Sequence, residues 1–125
     1  MQEAALYDIF FYGTLRRGGA YHHFYLRYHE CQYAFYRLPG YALYDFAGQY
    51  PFMVPEADST VVGDVFRVNQ ATKLALDEFE DVEEGLYDFI YLPEHQFYTY
   101  VKSDSQIQGM PRVPYGDWLT YCSNE

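Results

Sequence analysis

The segment LYDIFFYGTLRRGG, residues 6–19, joins an apolar run to a glycine-punctuated turn, and this junction decides how the chain folds. Residues 6–12 are rich in β-forming side chains and almost continuously apolar, which is typical of a strand buried on both faces. The run ends abruptly at Gly13-Thr14-Leu15. The pattern therefore predicts a buried strand that runs directly into a loop with exposed backbone groups.

The remaining elements are predicted from the same kinds of signal. Residues 20–33 lack glycine and proline and favour a helix, whereas Asn69 is suited to cap a second helix over residues 70–84 that Gly85 would end. Asp117 is suited to cap a last short helix. Short strands are expected at residues 37–45 with a turn at Pro39-Gly40, 50–54, 61–68, 86–92 and 96–102, with loops at 55–60 and 103–114.

Size and composition are those of a single α+β domain over residues 1–125. Half of the chain is apolar, and 16 Tyr and 10 Phe favour half-buried sheet faces and pockets lined with hydroxyl groups. The two cysteines, Cys31 and Cys122, lack CxxC spacing, so we expect a reduced pair in a cytoplasmic protein rather than a disulfide.

The net charge of −10 comes from 18 acidic and 8 basic residues. Such a surface repels phosphate groups, so neither nucleic acid nor an anionic membrane is expected as a partner. Arg16 and Arg17 form the one expected positive patch. No signal peptide or membrane-spanning run is evident, which predicts a cytoplasmic location.

The turn at Gly13-Thr14-Leu15 is the first candidate site. Consecutive backbone N–H groups after a buried strand can bind an anion, and glycine allows a ligand to approach closely. The Gly-Lys-Ser/Thr pattern of a phosphate-binding P-loop is missing. An ordinary strand-ending turn is the alternative interpretation.

The acidic segment at residues 77–84 is the second candidate. A general acid/base needs a carboxyl group whose pKa lies near neutrality, and partial burial or like charges can provide this. A solvated helix face is the alternative interpretation. Helical geometry does not decide between Glu78 and Glu80, since both lie at similar angles to the inner face.

Metal and nucleophile signals are weak elsewhere. His22 and His23 are adjacent and point apart on a helix, and the sequence has neither HExxH nor zinc-ligand spacing. Cys31 near His29 is an unspecific nucleophile candidate. We therefore expect no metal site.

Taken together, the ordered segments resemble the gamma-glutamylcyclotransferase-like superfamily, particularly its gamma-glutamylamine cyclotransferase branch. The likeness covers nearly the whole chain. It rests on FFYGTLRRG (10–18), HH (22–23), YP (50–51), GDVF (63–66), LDEFE (76–80), YTY (98–100) and GDW (116–118).

The resemblance implies a small mixed β-barrel flanked by two or three helices. It also implies that Tyr12 to Leu15 line the substrate pocket and that Glu80 is the catalytic acid/base. Tyr98 and Tyr100 alternate across a strand, so only one can face this pocket, and we favour Tyr100. The implied reaction releases 5-oxoproline from a small gamma-glutamyl compound without a cofactor.

The chain departs from the family pattern in two places. Asp81 stands where the family commonly has Gly, and the Arg that often follows the next Tyr is absent after Tyr87. One alternative is therefore a non-catalytic member that binds a small molecule in the same pocket. Another is a different gamma-glutamyl enzyme that acts on a peptide or a carrier-linked intermediate.

Overall fold

The computed structural model describes residues 5–26, 29–80, 87–102 and 107–123. Within these ranges a five-stranded mixed sheet is accompanied by three α-helices and one 3-10 turn. In chain order the elements are β1 (Leu6–Phe11), α1 (His22–Tyr25), β2 (Glu30–Phe46), β3 (Tyr50–Asn69), α2 (Gln70–Phe79), β4 (Asp88–Leu92), β5 (Phe97–Val101), the 3-10 turn (Pro114–Gly116) and α3 (Trp118–Ser123).

Strand β1 lies at the centre of the sheet, whose order is β2-β3-β1-β5-β4. It is antiparallel to β3 and parallel to β5. Its side chains alternate between two hydrophobic clusters, with Ile9 and Phe11 in one and Phe10 and the following Tyr12 in the other. Because both faces are covered, the strand needs apolar residues at nearly every position, and the predicted buried strand is confirmed.

The α+β class is confirmed, but the sheet is not a closed barrel. In the described ranges β2 and β4 are the two edge strands and do not pair with each other. The expected barrel is therefore an open, mixed sheet. The described helices include none that is long and apolar enough to cross a membrane.

The predicted helix over residues 20–33 is wrong. Helix α1 covers only His22–Tyr25, and β2 has already begun at Glu30. Cys31 pairs with Phe66 of β3, so the second half of the segment belongs to the sheet. The absence of Gly and Pro was a weak helix signal, and pairing with a long neighbouring strand outweighs local propensity.

Strands β2 and β3 are longer than predicted. The turn expected at Pro39-Gly40 and the loop expected at residues 55–60 lie inside these strands, as irregularities in their pairing. The β2–β3 register passes from the pair Pro39–Thr60 to the pair Tyr41–Pro55, so β3 accommodates extra residues at this point. Gly40 has φ +86°, a conformation that glycine adopts readily. The signals at 39–40 and 55–60 therefore mark a β-bulge rather than a turn and a loop.

Other predicted elements are confirmed. Asn69 caps α2, with its side-chain oxygen accepting from the Thr72 N–H at 2.9 Å. Asp117 accepts from the Thr120 N–H at 3.2 Å beside α3. Strands β4 and β5 pair as a hairpin. Helix α2 ends at Phe79 with Glu80 as its C-cap, so the predicted helix over residues 70–84 is too long. Gly85, Asp81 and residues 103–106 of the predicted loop lie outside the described residues.

Candidate functional site

A cavity of about 460 Å³ lies where the loop after β1, the end of α2 and the β2–β3 hairpin meet. Its volume is within the range of small-molecule sites. All six residues that the sequence singled out for substrate binding and catalysis line it. The described lining is Phe10, Phe11, Tyr12, Gly13, Thr14, Leu15, Ala20, Tyr21, Gln49, Tyr50, Pro51, Phe79, Glu80, Tyr87 and Tyr100.

The loop contributes backbone donors to the cavity wall. None of the hydrogen bonds among the described residues is donated by the backbone N–H groups of Gly13, Thr14 or Leu15. By contrast, the Arg16 N–H donates to the Gly13 oxygen at 3.1 Å, and the Tyr21 N–H donates to the Thr14 oxygen at 2.8 Å. The loop is thus closed by its own hydrogen bonds and leaves three consecutive amides to a ligand, as an anion site requires.

Glycine at position 13 is required by the opposite wall of the cavity. A Cβ atom added to Gly13 would lie 2.9 Å from both Cγ and Cδ of Pro51. A proline ring has little freedom to move aside. Any larger residue at position 13 would therefore push the loop and the β2–β3 hairpin apart.

The loop is anchored from behind by a buried ion pair. Arg16 is only 1% exposed, and its guanidinium contacts Asp64 at 3.4 Å and Asp117 at 3.0 Å. Asp64 also accepts from the backbone N–H groups of Arg17 at 3.1 Å and Phe35 at 3.0 Å. The predicted positive patch at Arg16 and Arg17 is therefore wrong in part, because the Arg16 charge is neutralised inside the protein.

Glu80 enters the cavity from the C-terminal cap of α2. Its backbone N–H donates to the Leu76 oxygen at 2.8 Å, and Leu76 is fully buried under the helix. Glu80 is half-buried and lines the cavity, whereas Glu78 is exposed and does not. Helical geometry alone did not distinguish Glu78 from Glu80, but the end of α2 places only Glu80 at the cavity.

Three buried tyrosines surround this carboxyl group. Burial raises the pKa of Tyr12 well above its ordinary value, and the Glu80 carboxylate raises it further. Burial is also the main cause of the raised pKa values of Tyr87 and Tyr100, and Glu80 again adds to both. These hydroxyls remain protonated at physiological pH, so they act as neutral polar groups and not as bases.

Each of the three hydroxyls has a partner in the protein. Tyr12 donates to the Tyr100 backbone oxygen at 2.5 Å, and Tyr87 donates to the Pro51 backbone oxygen at 2.8 Å. Tyr100 donates to Asp77 at 2.8 Å, and Asp77 in turn pairs with Lys73 at 2.6 Å. These bonds hold the rings in fixed positions around the cavity.

Sequence reasoning missed several residues of the wall. Gln49, Tyr50 and Pro51 come from the β2–β3 hairpin, and Tyr87 precedes β4. Tyr50 and Pro51 form one of the segments that carry the resemblance, but no site role was expected of any of these residues, since only the folding of the hairpin over the loop brings them to the cavity. Tyr98 lies two residues before Tyr100 on the same face of β5, and both pack in the same hydrophobic cluster. Tyr98 stacks on Phe89, with the ring centroids 4.9 Å apart, and is not in the lining.

No group of three or more His, Cys, Asp or Glu side chains in the described ranges is arranged to hold a metal ion. Glu80 is the one carboxyl-bearing residue of the described lining. The arrangement therefore consists of open backbone amides, one carboxyl group and a wall of neutral aromatic hydroxyls, which defines a small-molecule pocket suited to proton transfer.

Comparisons with known proteins agree with this class. The family model for gamma-glutamyl cyclotransferase, AIG2-like proteins matches residues 9–120. The chain therefore belongs to the gamma-glutamyl cyclotransferase, AIG2-like family. No curated protein matches the sequence.

Solved structures share the fold. The protein ytfP from Escherichia coli is 30% identical, with a TM-score of 0.67 over 90% of this chain and 96% of its own. The uncharacterized protein PH0828 from Pyrococcus horikoshii has a TM-score of 0.73 at 23% identity, covering 94% of both chains. An AIG2-like protein from Mus musculus has a TM-score of 0.64 at 21% identity, covering 94% of this chain and 95% of its own.

Proposed function

We propose that the protein is a cyclotransferase that releases 5-oxoproline from a gamma-glutamyl amine or a related small gamma-glutamyl compound. The observation that carries this proposal is that Glu80 and the loop of Tyr12 to Leu15, remote in the sequence, line one cavity. Membership of the gamma-glutamyl cyclotransferase, AIG2-like family supports the same reaction class.

The reaction is an intramolecular aminolysis. The α-amino nitrogen of the substrate attacks its own γ-carbonyl carbon, a C–N bond forms within a five-membered ring, and the bond to the leaving amine breaks. Because both reacting groups belong to one molecule, the enzyme mainly holds a reactive conformer and moves one proton. No oxidant, reductant or second substrate is needed for the atoms to balance.

The cavity provides a residue for each step. Glu80 accepts a proton from the attacking nitrogen and returns it to the leaving nitrogen. The amides of Gly13, Thr14 and Leu15 bind the α-carboxylate or the oxyanion that develops on the γ-carbonyl. The buried rings of Tyr12 and Tyr87 keep water away from these hydrogen bonds, which are stronger in a medium of low dielectric constant.

The test is the release of 5-oxoproline from a panel of gamma-glutamyl amines, measured by chromatography with the wild type and Glu80→Gln. The amide cannot shuttle a proton, so we expect turnover to fall by about a hundredfold or more while the circular dichroism spectrum is unchanged. Glu78→Gln is the matched control, and it should retain most of the activity because Glu78 is exposed and outside the cavity. Full activity of Glu80→Gln would remove Glu80 from the mechanism.

A non-catalytic member that binds a small molecule in the same cavity is the second candidate. It is favoured by Asp81, which stands where the resemblance leads us to expect Gly, and by the missing Arg after Tyr87. Calorimetric binding of gamma-glutamyl amines with no turnover across the whole panel would favour this function over the cyclotransferase.

A further inference from the structure

Four aromatic side chains cluster beside the cavity at its outer end, and we call them the aromatic rim: Tyr21, Phe24, Tyr25 and Phe79. The Tyr21 ring lies 5.2 Å from Phe79 and 6.3 Å from Phe24, and the Tyr25 ring lies 5.1 Å from Phe79. Phe24 is 74% exposed and Tyr21 is 45% exposed. Adjacent exposed aromatic residues of this kind mark a binding surface more often than isolated ones do.

The aromatic rim is continuous with the cavity, since Tyr21 and Phe79 also belong to its lining. Both residues are also tied to the groups that carry the proposed chemistry. The Tyr21 N–H donates to the Thr14 oxygen, within the anion-binding loop, at 2.8 Å. Phe79 immediately precedes Glu80 at the end of α2. The rim therefore has a set position relative to both the loop amides and the carboxyl group.

We propose that the aromatic rim binds the leaving amine of the substrate, and that this amine carries an aromatic or bulky apolar group. The inference rests on the proposed cyclotransferase function and adds the chemical class of the leaving group. The glutamyl part of the substrate is polar and matches the loop amides and Glu80. The leaving amine is attached to the γ-carbonyl at the other end, so it extends away from the α-carboxylate.

The apolar side chains of the rim favour an apolar leaving amine. Phe24 and Phe79 have no polar atoms, so covering them removes apolar surface from water without a matching hydrogen bond. Rings on the substrate would stack on Tyr21 and Phe79 in the offset or edge-on geometries that aromatic pairs prefer. A small leaving group such as methylamine would leave the rim exposed to water and gain none of this energy.

The experiment compares gamma-glutamylbenzylamide with gamma-glutamylmethylamide. We expect the wild type to have a kcat/KM about tenfold higher for the benzylamide. In Tyr21→Ala and Phe24→Ala the ratio of the two kcat/KM values should fall about fivefold. Tyr33→Ala is the matched control: Tyr33 is 58% exposed but lies on β2 and is not part of the cavity lining, so its ratio and rates should equal those of the wild type.

A binding measurement separates this inference from the proposed reaction. Calorimetry on Glu80→Gln gives the dissociation constants of both amides without turnover. If the benzylamide binds more tightly than the methylamide, and Tyr21→Ala abolishes this difference, the role of the aromatic rim is supported. This holds even if the wild type releases no 5-oxoproline, a result that would contradict only the proposed reaction. Equal affinity for the two amides, or stronger binding of a gamma-glutamyl amide with a cationic aminobutyl tail, would overturn the apolar assignment.

Discussion

On one side of the loop that follows β1, Arg16 and the Arg17 amide donate to Asp64, a buried carboxylate of the protein itself. On the other side, the amides of residues 13–15 donate no hydrogen bond to the described residues, and residues 13–15 line a cavity. The loop thus has one face whose donors bond to the protein itself and one face whose backbone amides are open to a ligand. We call these the anchored face and the open face of the loop.

The difference shows how a short loop can be both rigid and able to bind. Buried donors and acceptors without partners are costly, so the anchored face holds its charges in pairs. The open face keeps its amides at the cavity wall, where a ligand can satisfy them. The rigidity needed for binding therefore comes from Arg16 and Asp64, which do not line the cavity.

The largest effect should come from breaking the anchored face with Arg16→Met. This change leaves Asp64 buried without its cation, and we expect the free energy of unfolding to fall by about 3–5 kcal/mol. Urea unfolding followed by fluorescence measures it. Arg17→Met is the control, because the Arg17 side chain is exposed and its backbone bond to Asp64 remains, so its stability should stay within about 0.5 kcal/mol of the wild type. Equal stability of the two variants would show that the Arg16 pair does not anchor the loop.

A smaller effect should come from altering the open face with Gly13→Ala. The new Cβ atom would lie 2.9 Å from the Pro51 ring, so the loop and hairpin must separate. We expect a loss of about 1–3 kcal/mol in unfolding free energy and a raised KM for gamma-glutamyl amides. Adding Pro51→Ala removes the ring that clashes and should recover part of both losses. A single variant as stable and active as the wild type would contradict this account of the wall.

The smallest effect concerns the tyrosines of the open face and appears at alkaline pH. Burial raises the pKa of Tyr87 far above its ordinary value near 10. The folded protein therefore keeps a proton that the unfolded chain releases above pH 10, so the stabilisation is complete below pH 10 and is lost as the pH rises. Each such tyrosine should steepen the decline of unfolding free energy by about 1.4 kcal/mol per pH unit.

Tyr87→Phe should make this decline shallower in urea unfolding between pH 9 and pH 11. Tyr115→Phe is the control, since Tyr115 is 88% exposed and should leave the slope unchanged. If Tyr87→Phe has the same slope as the wild type, Tyr87 ionises normally and the wall of the cavity is wetter than its burial indicates.

Local sequence signals correctly predicted the elements whose structure is determined by residues within one short segment. The apolar run of β1, the Asn69 cap of α2 and the Asp117 cap of α3 are of this kind. The prediction failed for residues 20–33, because Glu30 and Cys31 pair with Arg67 and Phe66 of β3, far along the chain. Secondary structure that depends on a distant partner cannot be deduced from the segment alone.

The candidate site was predictable to a similar degree. The resemblance pointed to the loop and to Glu80, and the structure places both in one cavity. Pro51 and Tyr87, which form other parts of the wall, were not expected to belong to the site. Arg16 was misread, because its neighbour Arg17 suggested a surface patch while its partners Asp64 and Asp117 are remote in the sequence.

By itself, the sequence determined the family, the buried first strand, the glycine loop after it and an acidic segment near residue 80, because each depends on residue types in a fixed order along the chain. Only the tertiary structure decided that Glu80 and not Glu78 faces the cavity, that Arg16 is buried, and that an aromatic rim borders the site. The physical reason is that burial and charge pairing depend on contacts between segments, whereas strand, turn and cap signals lie within them.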